Sequence, residues 1–179
     1  MSDQLRITLV QQAIEWENAA VNLKRFREVL NQTEATDLIV LPEMFTTGFS
    51  MNPEKLAEPT EGRALDMLRE AASAHDAAVT GSIIAEENGK YYNRLLWVYP
   101  DGSYATYDKR HLFRMSEENK HYSAGESRMV IHYKNWRILP LICYDLRFPV
   151  WSRNNVGYDL LMYVANWPAV RSHVWKTLL

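Results

Sequence analysis

Glu43, Lys109 and Cys143 are the residues of this sequence best suited to act on a substrate together. Each follows a strand-like run. Glu43 comes after DLIVL (37–41) and Pro42, Lys109 after YATYD (104–108), and Cys143 after ILPLI (138–142). Layered α/β folds carry their active sites at such strand ends. A carboxylate, an ammonium and a thiol supply a base, a cation and a nucleophile, which is one route to acyl transfer without histidine. A thiol attacks best as thiolate, and a neighbouring ammonium lowers its pKa. A carboxylate within reach can take the thiol proton and later deliver it to a departing amine. The ammonium, with a backbone N–H, can stabilise the tetrahedral oxyanion.

Taken singly, each residue also has a plainer reading. A lone Cys after an apolar run fits a small core residue. Glu43, at a strand end, fits a helix or loop cap, and Lys109 fits a solvated loop. The three lie far apart in the chain, so spacing alone does not join them.

The elements that would position them read as follows. Leu5–Gln11 is a first strand. Leu23, Phe26 and Leu30 mark one face of a helix. Asp37–Leu41 is a short, wholly apolar strand, as buried parallel strands are. A long connection, Pro42–Gly62, precedes a second helix carrying Leu65, Leu68 and Ala72. Strands at Ala77–Ala85 and Tyr91–Tyr99 join through Glu87-Asn88-Gly89, a hairpin signal. Tyr104–Tyr107 pairs back beyond the turn at Pro100, Asp101 and Gly102. Arg114–Arg128 reads as loop with a short helix. Met129–Tyr133 and Trp136–Ile142 form a hairpin, and Leu160–Val164 is the last strand. Ser172 caps a helix starting near His173. This order implies a mixed sheet with helices packed on it, an α/β (α+β) layered domain spanning residues 1–179.

The chain has 179 residues, 47% hydrophobic and 23% charged, enough for a sizeable core. A net charge of −2 argues against a nucleic-acid surface. No apolar run is long enough to span a membrane, and no signal peptide is apparent. One cysteine permits no internal disulfide. A cytoplasmic setting is the simplest expectation.

The local contexts add a family resemblance. LPEMF (41–45), YDKRHLF (107–113) and CYDLRFP (143–149) resemble the three signature segments of the nitrilase superfamily of carbon–nitrogen hydrolases, in the family's order. YVANWP (163–168) resembles a fourth. The longer stretches LPEMFTTGFS, YDKRHLFRM and CYDLRFPVWSRN are most similar to the ω-amidase branch.

The resemblance implies a four-layer αββα sandwich and a Glu43–Lys109–Cys143 triad. It implies a second glutamate that positions Lys109 and the substrate. Glu118 fits best, with its neighbour Glu117 as the alternative. The oxyanion hole would be the Lys109 ammonium and the Tyr144 N–H. The implied reaction releases ammonia from the terminal amide of a short α-keto dicarboxylate, such as 2-oxoglutaramate or 2-oxosuccinamate. Alternatives are an N-carbamoyl amino acid or a nitrile as substrate, or an inactive fragment.

No metal or organic cofactor is implied, and the absence of a clustered His/Cys pattern agrees. The substrate's far carboxylate calls for a cation. Arg147 comes first and Arg171 second, while an ion pair of Arg147 with Asp145 is an equal reading. Phe45, Tyr144 and Trp167 would form an apolar wall, or plain core. Homodimers are common in the family, so a dimer is expected. Family members also continue past the YVANWP segment, and the final helix ends on Leu178 and Leu179 without a cap. The expectation is therefore that a C-terminal part of the sandwich is missing.

Overall fold

The structure, a computed structural model, describes residues 4–179. The elements run in the order β1 (Ile7–Leu9), α1 (Ala19–Asn31), β2 (Leu38–Val40), α2 (Pro53–Leu56), β3 (Glu58–Pro59), α3 (Arg63–His75), β4 (Ala78–Glu87), β5 (Lys90–Val98) and β6 (Tyr104–Asp108). They continue with α4 (Glu118–His121), β7 (Ile131–Tyr133), β8 (Trp136–Ile142), a 3-10 turn at Cys143–Arg147, α5 (Pro149–Ser152), β9 (Leu160–Val164) and α6 (Ser172–Leu178).

The helices form where apolar residues recur every three or four positions. In α1 the stripe is Leu23, Phe26 and Leu30, and Asn18 Oδ1 caps the helix by accepting the Val21 N–H. In α3 it is Leu65, Leu68 and Ala72, and Asp76 ends the helix in the left-handed region. Both helices bury these stripes, with Ile39, Leu41, Val79, Ile83 and Leu96, on one face of a six-stranded sheet.

That sheet has the order β1-β2-β4-β5-β6, with β3 on β4. β1, β2 and β4 run parallel, while β4, β5 and β6 are antiparallel. Asn88 and Gly89, with φ of 54° and 74°, make the β4–β5 turn as expected for an Asn-Gly hairpin. β2 is buried at every residue because it has a strand on each side and a layer on each face.

A second sheet, β7-β8-β9, packs on the other face. Leu38, Val40, Leu95, Trp97 and Tyr107 meet Ile131, Tyr133, Ile138 and Ile142 there. The layers are therefore helix, sheet, sheet. On the far side of the second sheet stands α6, whose Trp175 ring lies 6.5 Å from that of Tyr163. This is a mixed α/β fold with two stacked sheets, as the layered sandwich implied by the resemblance requires.

Four expectations change in detail. The strands form two sheets, as the implied αββα sandwich requires, where the order of elements by itself implied a mixed sheet. β1 is three residues long and lies at a sheet edge, with Ile7 and Leu9 exposed. The connection 42–62 contains α2 and β3. Ser172 is the first residue of α6 instead of its cap, because the 3-10 turn Ala169–Arg171 already bends the chain into the helix.

Candidate active site

Glu43, Lys109, Glu118 and Cys143 converge at one place, each delivered by the end of a different element. Glu43 follows β2, Lys109 follows β6, Glu118 opens α4, and Cys143 follows β8. Lys109 Nζ donates to Glu43 Oε1 at 2.9 Å and to both Glu118 oxygens at 3.0 Å. All three side chains are fully buried. Of the two neighbouring glutamates, Glu118 makes the contact. Glu117 is exposed and pairs with Lys120.

The carboxylates are held from several sides. Asn93, in the middle of β5, donates Nδ2 to Glu43 Oε1 at 2.8 Å. Ser82 of β4 holds Asn93 by donating to its Oδ1 at 2.8 Å, and its own Oγ accepts the Met44 N–H at 2.9 Å. The Asn166 N–H donates to Glu43 Oε2 at 2.9 Å. Glu118 Oε2 accepts the Phe113 N–H at 2.5 Å. Gly125 closes the loop that carries Glu118, its N–H donating to Lys109 O at 2.9 Å.

Cys143 sits at the junction between β8 and the 3-10 turn, with φ of 44°. A side chain there strains the backbone by about 1–3 kcal/mol, which surrounding contacts must offset. Asp145 supplies them. Its fully buried carboxylate accepts the Ile142 N–H at 3.1 Å, the Tyr107 hydroxyl at 2.7 Å and the His111 N–H at 2.9 Å. The turn is thereby tied to β8, to β6 and to the loop after Lys109.

The electrostatics depart from the expectation for the thiol. Burial pushes the Cys143 thiol well up, the Glu43 charge adds to this, and the Lys109 charge only partly opposes it. Cys143 therefore rests as a neutral thiol. Burial disfavours the Lys109 ammonium, yet the Glu43 and Glu118 charges outweigh it and raise its pKa. Burial likewise raises that of Glu118.

Lys109 and Cys143 open into a cavity of about 490 Å³. Its wall includes Phe49, Phe113, Tyr144, Arg147, Trp167 and Arg171. Tyr144 and Trp167, expected from the sequence at an apolar wall, line this cavity. Phe45 does not: it is fully buried on the helix side of the sheet, edge-on to Phe26 with ring centres 5.5 Å apart. The chain reverses after Met44 (φ 46°), which turns Phe45 inward, and Phe49 takes the pocket position, 4.9 Å from Lys109 Nζ. Asp145 is occupied by the turn, so it forms no pair with Arg147.

Asn93, Ser82, the Asn166 N–H and Phe49 were not singled out from the sequence. For Asn93 a signal existed, a polar side chain shortly before the apolar run 95–98 of β5. A backbone donor such as Asn166 leaves no mark in residue type.

Comparison with known proteins agrees with this geometry. Residues 6–178 match the carbon-nitrogen hydrolase family. The chain is 51% identical over 175 residues to the omega-amidase YafV of Yersinia enterocolitica, covering 98% of this chain and 68% of that protein. It is 31% identical to the 2-oxoglutaramate amidase of Bacillus subtilis (strain 168), covering 97% and 69%. Among solved structures, XC1258 from Xanthomonas campestris superposes with a TM-score of 0.93 at 44% identity, covering 98% of this chain and 69% of that one. It is described as a CN-hydrolase superfamily protein with an arsenic adduct in the active site. The buried lysine between two glutamates, the thiol beside them and these matches lead to one statement: the chain belongs to the carbon-nitrogen hydrolase family, within the nitrilase superfamily.

Proposed function

We propose that this chain is an ω-amidase that hydrolyses the terminal amide of short α-keto dicarboxylate monoamides, such as 2-oxoglutaramate, to the acid and ammonia. The observation that carries it is Lys109, fully buried between Glu43 and Glu118 at the floor of the pocket that Cys143 enters. The relatives named omega-amidase and 2-oxoglutaramate amidase support the substrate class.

The roles follow from the geometry. Glu43 takes the Cys143 proton as sulfur attacks the amide carbon, because the thiol is neutral at rest. The Lys109 ammonium and the Tyr144 N–H receive the oxyanion. Collapse of the tetrahedral adduct breaks the C–N bond, and Glu43 passes its proton to the leaving nitrogen. Ammonia departs and a thioester on Cys143 remains. Glu43 then takes a proton from water, which attacks the thioester, and the proton returns to the sulfur as the acid leaves. Glu118 orients Lys109 through two hydrogen bonds. The chain has one cysteine, and this mechanism needs it reduced, which suits the cytoplasm.

Ammonia release tests the reading. The chain is expected to release ammonia from 2-oxoglutaramate far faster than from an N-carbamoyl amino acid, and Cys143→Ala is expected to abolish it. Faster turnover of the carbamoyl compound, or turnover that survives Cys143→Ala, would overturn it.

A further inference from the structure

The pocket floor holds the reacting groups, while its wall carries a cation that none of them uses. Arg171 ends the turn Ala169–Arg171, on the same loop as the Asn166 N–H that binds Glu43. Its guanidinium carbon lies 5.3 Å from the Phe113 ring centre and 5.8 Å from that of Trp167. Its carbonyl accepts Trp167 Nε1–H at 2.9 Å, which fixes the indole beside it. Its Nε is shut off from solvent with no hydrogen-bond partner among the described residues.

A buried donor without an acceptor is costly, and aromatic faces compensate a cation only in part. The carboxylates nearby are engaged elsewhere. Glu43 and Glu118 hold Lys109, and Asp145 holds the Cys143 turn. An anionic group on a ligand would complete the site. Arg147 lines the same cavity but is exposed, where solvent screens its charge.

We propose that Arg171, rather than Arg147, anchors the far carboxylate of the substrate and so selects monoamides of short dicarboxylic acids over uncharged amides. This rests on the amidase reading above and names the group that sets its substrate class. A guanidinium matches carboxylate oxygens in pairs. Beside Phe113 and Trp167 such a pair is stronger than at the surface. An uncharged amide leaves the buried donor unpaired, and sites of that kind reject such ligands strongly.

Succinamate and butanamide have the same chain length and differ in a terminal carboxylate against a methyl. Arg171→Gln is expected to lower the succinamate-to-butanamide ratio of kcat/KM about 100-fold. Arg171→Lys restores part of the loss. Arg147→Gln shifts the succinamate-to-butanamide ratio by less than about threefold. Alkylation of Cys143 by iodoacetate and by iodoacetamide reads the same cation without turnover. The wild-type rate ratio favours iodoacetate by roughly tenfold more than that of Arg171→Gln, with iodoacetamide as the control for folding.

An Arg171→Gln protein that keeps both ratios overturns the proposal, as does an Arg147→Gln protein that loses them. Where the two assays differ, the alkylation ratio decides. A wild-type chain that hydrolyses neither amide but shows the Arg171-dependent iodoacetate preference overturns the amidase reading and leaves the anion site standing.

Discussion

Lys109 joins stability to chemistry at the residue scale. Its ammonium compensates two buried carboxylates, so removing it leaves both charges uncompensated. Breaking buried pairs in this way costs about 3–5 kcal/mol. Lys109→Met is expected to lower stability at pH 8 by that order and to abolish ammonia release, measured by urea unfolding and steady-state assay. The pH dependence has a definite sign. Burial already holds the Glu118 carboxyl above its ordinary value of 4.5. A carboxyl raised in the folded state binds more protons there than when unfolded, so its favourable contribution is present at low pH and lost as pH rises through the folded pKa. Without Lys109 that pKa rises further. The stability deficit of Lys109→Met should therefore shrink between pH 8 and pH 5. A deficit that grows on acidification would contradict the assignment of Lys109 as their counter-charge.

At the scale of elements, the site depends on how the loop after β6 folds back. Gly125 lies so close to that strand that a Cβ on it would stand 2.1 Å from Asp108 O. Only glycine lets the loop approach while its N–H reaches Lys109 O and its carbonyl accepts from Arg110. Gly125→Ala must displace backbone, at a cost of about 1–3 kcal/mol. The displaced loop carries Glu118, so kcat is expected to fall about 100-fold, since shifts near 1 Å have such effects. Wild-type kcat in Gly125→Ala would show that the loop does not position Glu118. Asn22 plays a comparable part for α1. Its side chain donates to Glu15 O at 2.7 Å and to Thr46 O at 2.8 Å, tying the helix to the loop that follows Glu43.

At the scale of the whole molecule, the two sheets must keep register, because Glu43 and Lys109 come from one and Cys143 from the other. Apolar packing between them is non-directional. The Tyr107–Asp145 hydrogen bond adds direction, joining β6 to the turn after β8 at 2.7 Å. Tyr107→Phe removes a hydroxyl that also accepts Trp151 Nε1–H at 3.1 Å. The expected loss is about 1–3 kcal/mol. Asp145→Asn should lose a similar amount, and the pair should be non-additive because both act on one network. A thermal or urea double-mutant cycle with additive effects would rule out this coupling between the sheets. The chain spans 68% of the length of its Yersinia relative, and β1 and β9 are edge strands among the described residues. No helix among the described residues is long and apolar enough to cross a membrane.

By itself the sequence determined the elements and the strand-end chemistry. Period and punctuation are local, so α1, α3, the Asn88-Gly89 hairpin and the strand preceding each of Glu43, Lys109 and Cys143 could be read directly. The signature segments around those residues were local as well, which is why Glu118 could be preferred to Glu117. Tertiary structure decided what each side chain meets. Phe45 and Phe49 are the same residue type four positions apart, and only the reversal at Met44 sends one to the core and the other to the pocket. Arg147 and Arg171 differ in burial, which depends on where Phe113 and Trp167 come to lie. The thiol was expected to be lowered by Lys109, yet it is raised, because burial and the Glu43 charge are properties of the assembled site. Residue type fixes which groups can react; their pKa values and partners arise from contacts between segments far apart in the chain, which no local pattern encodes.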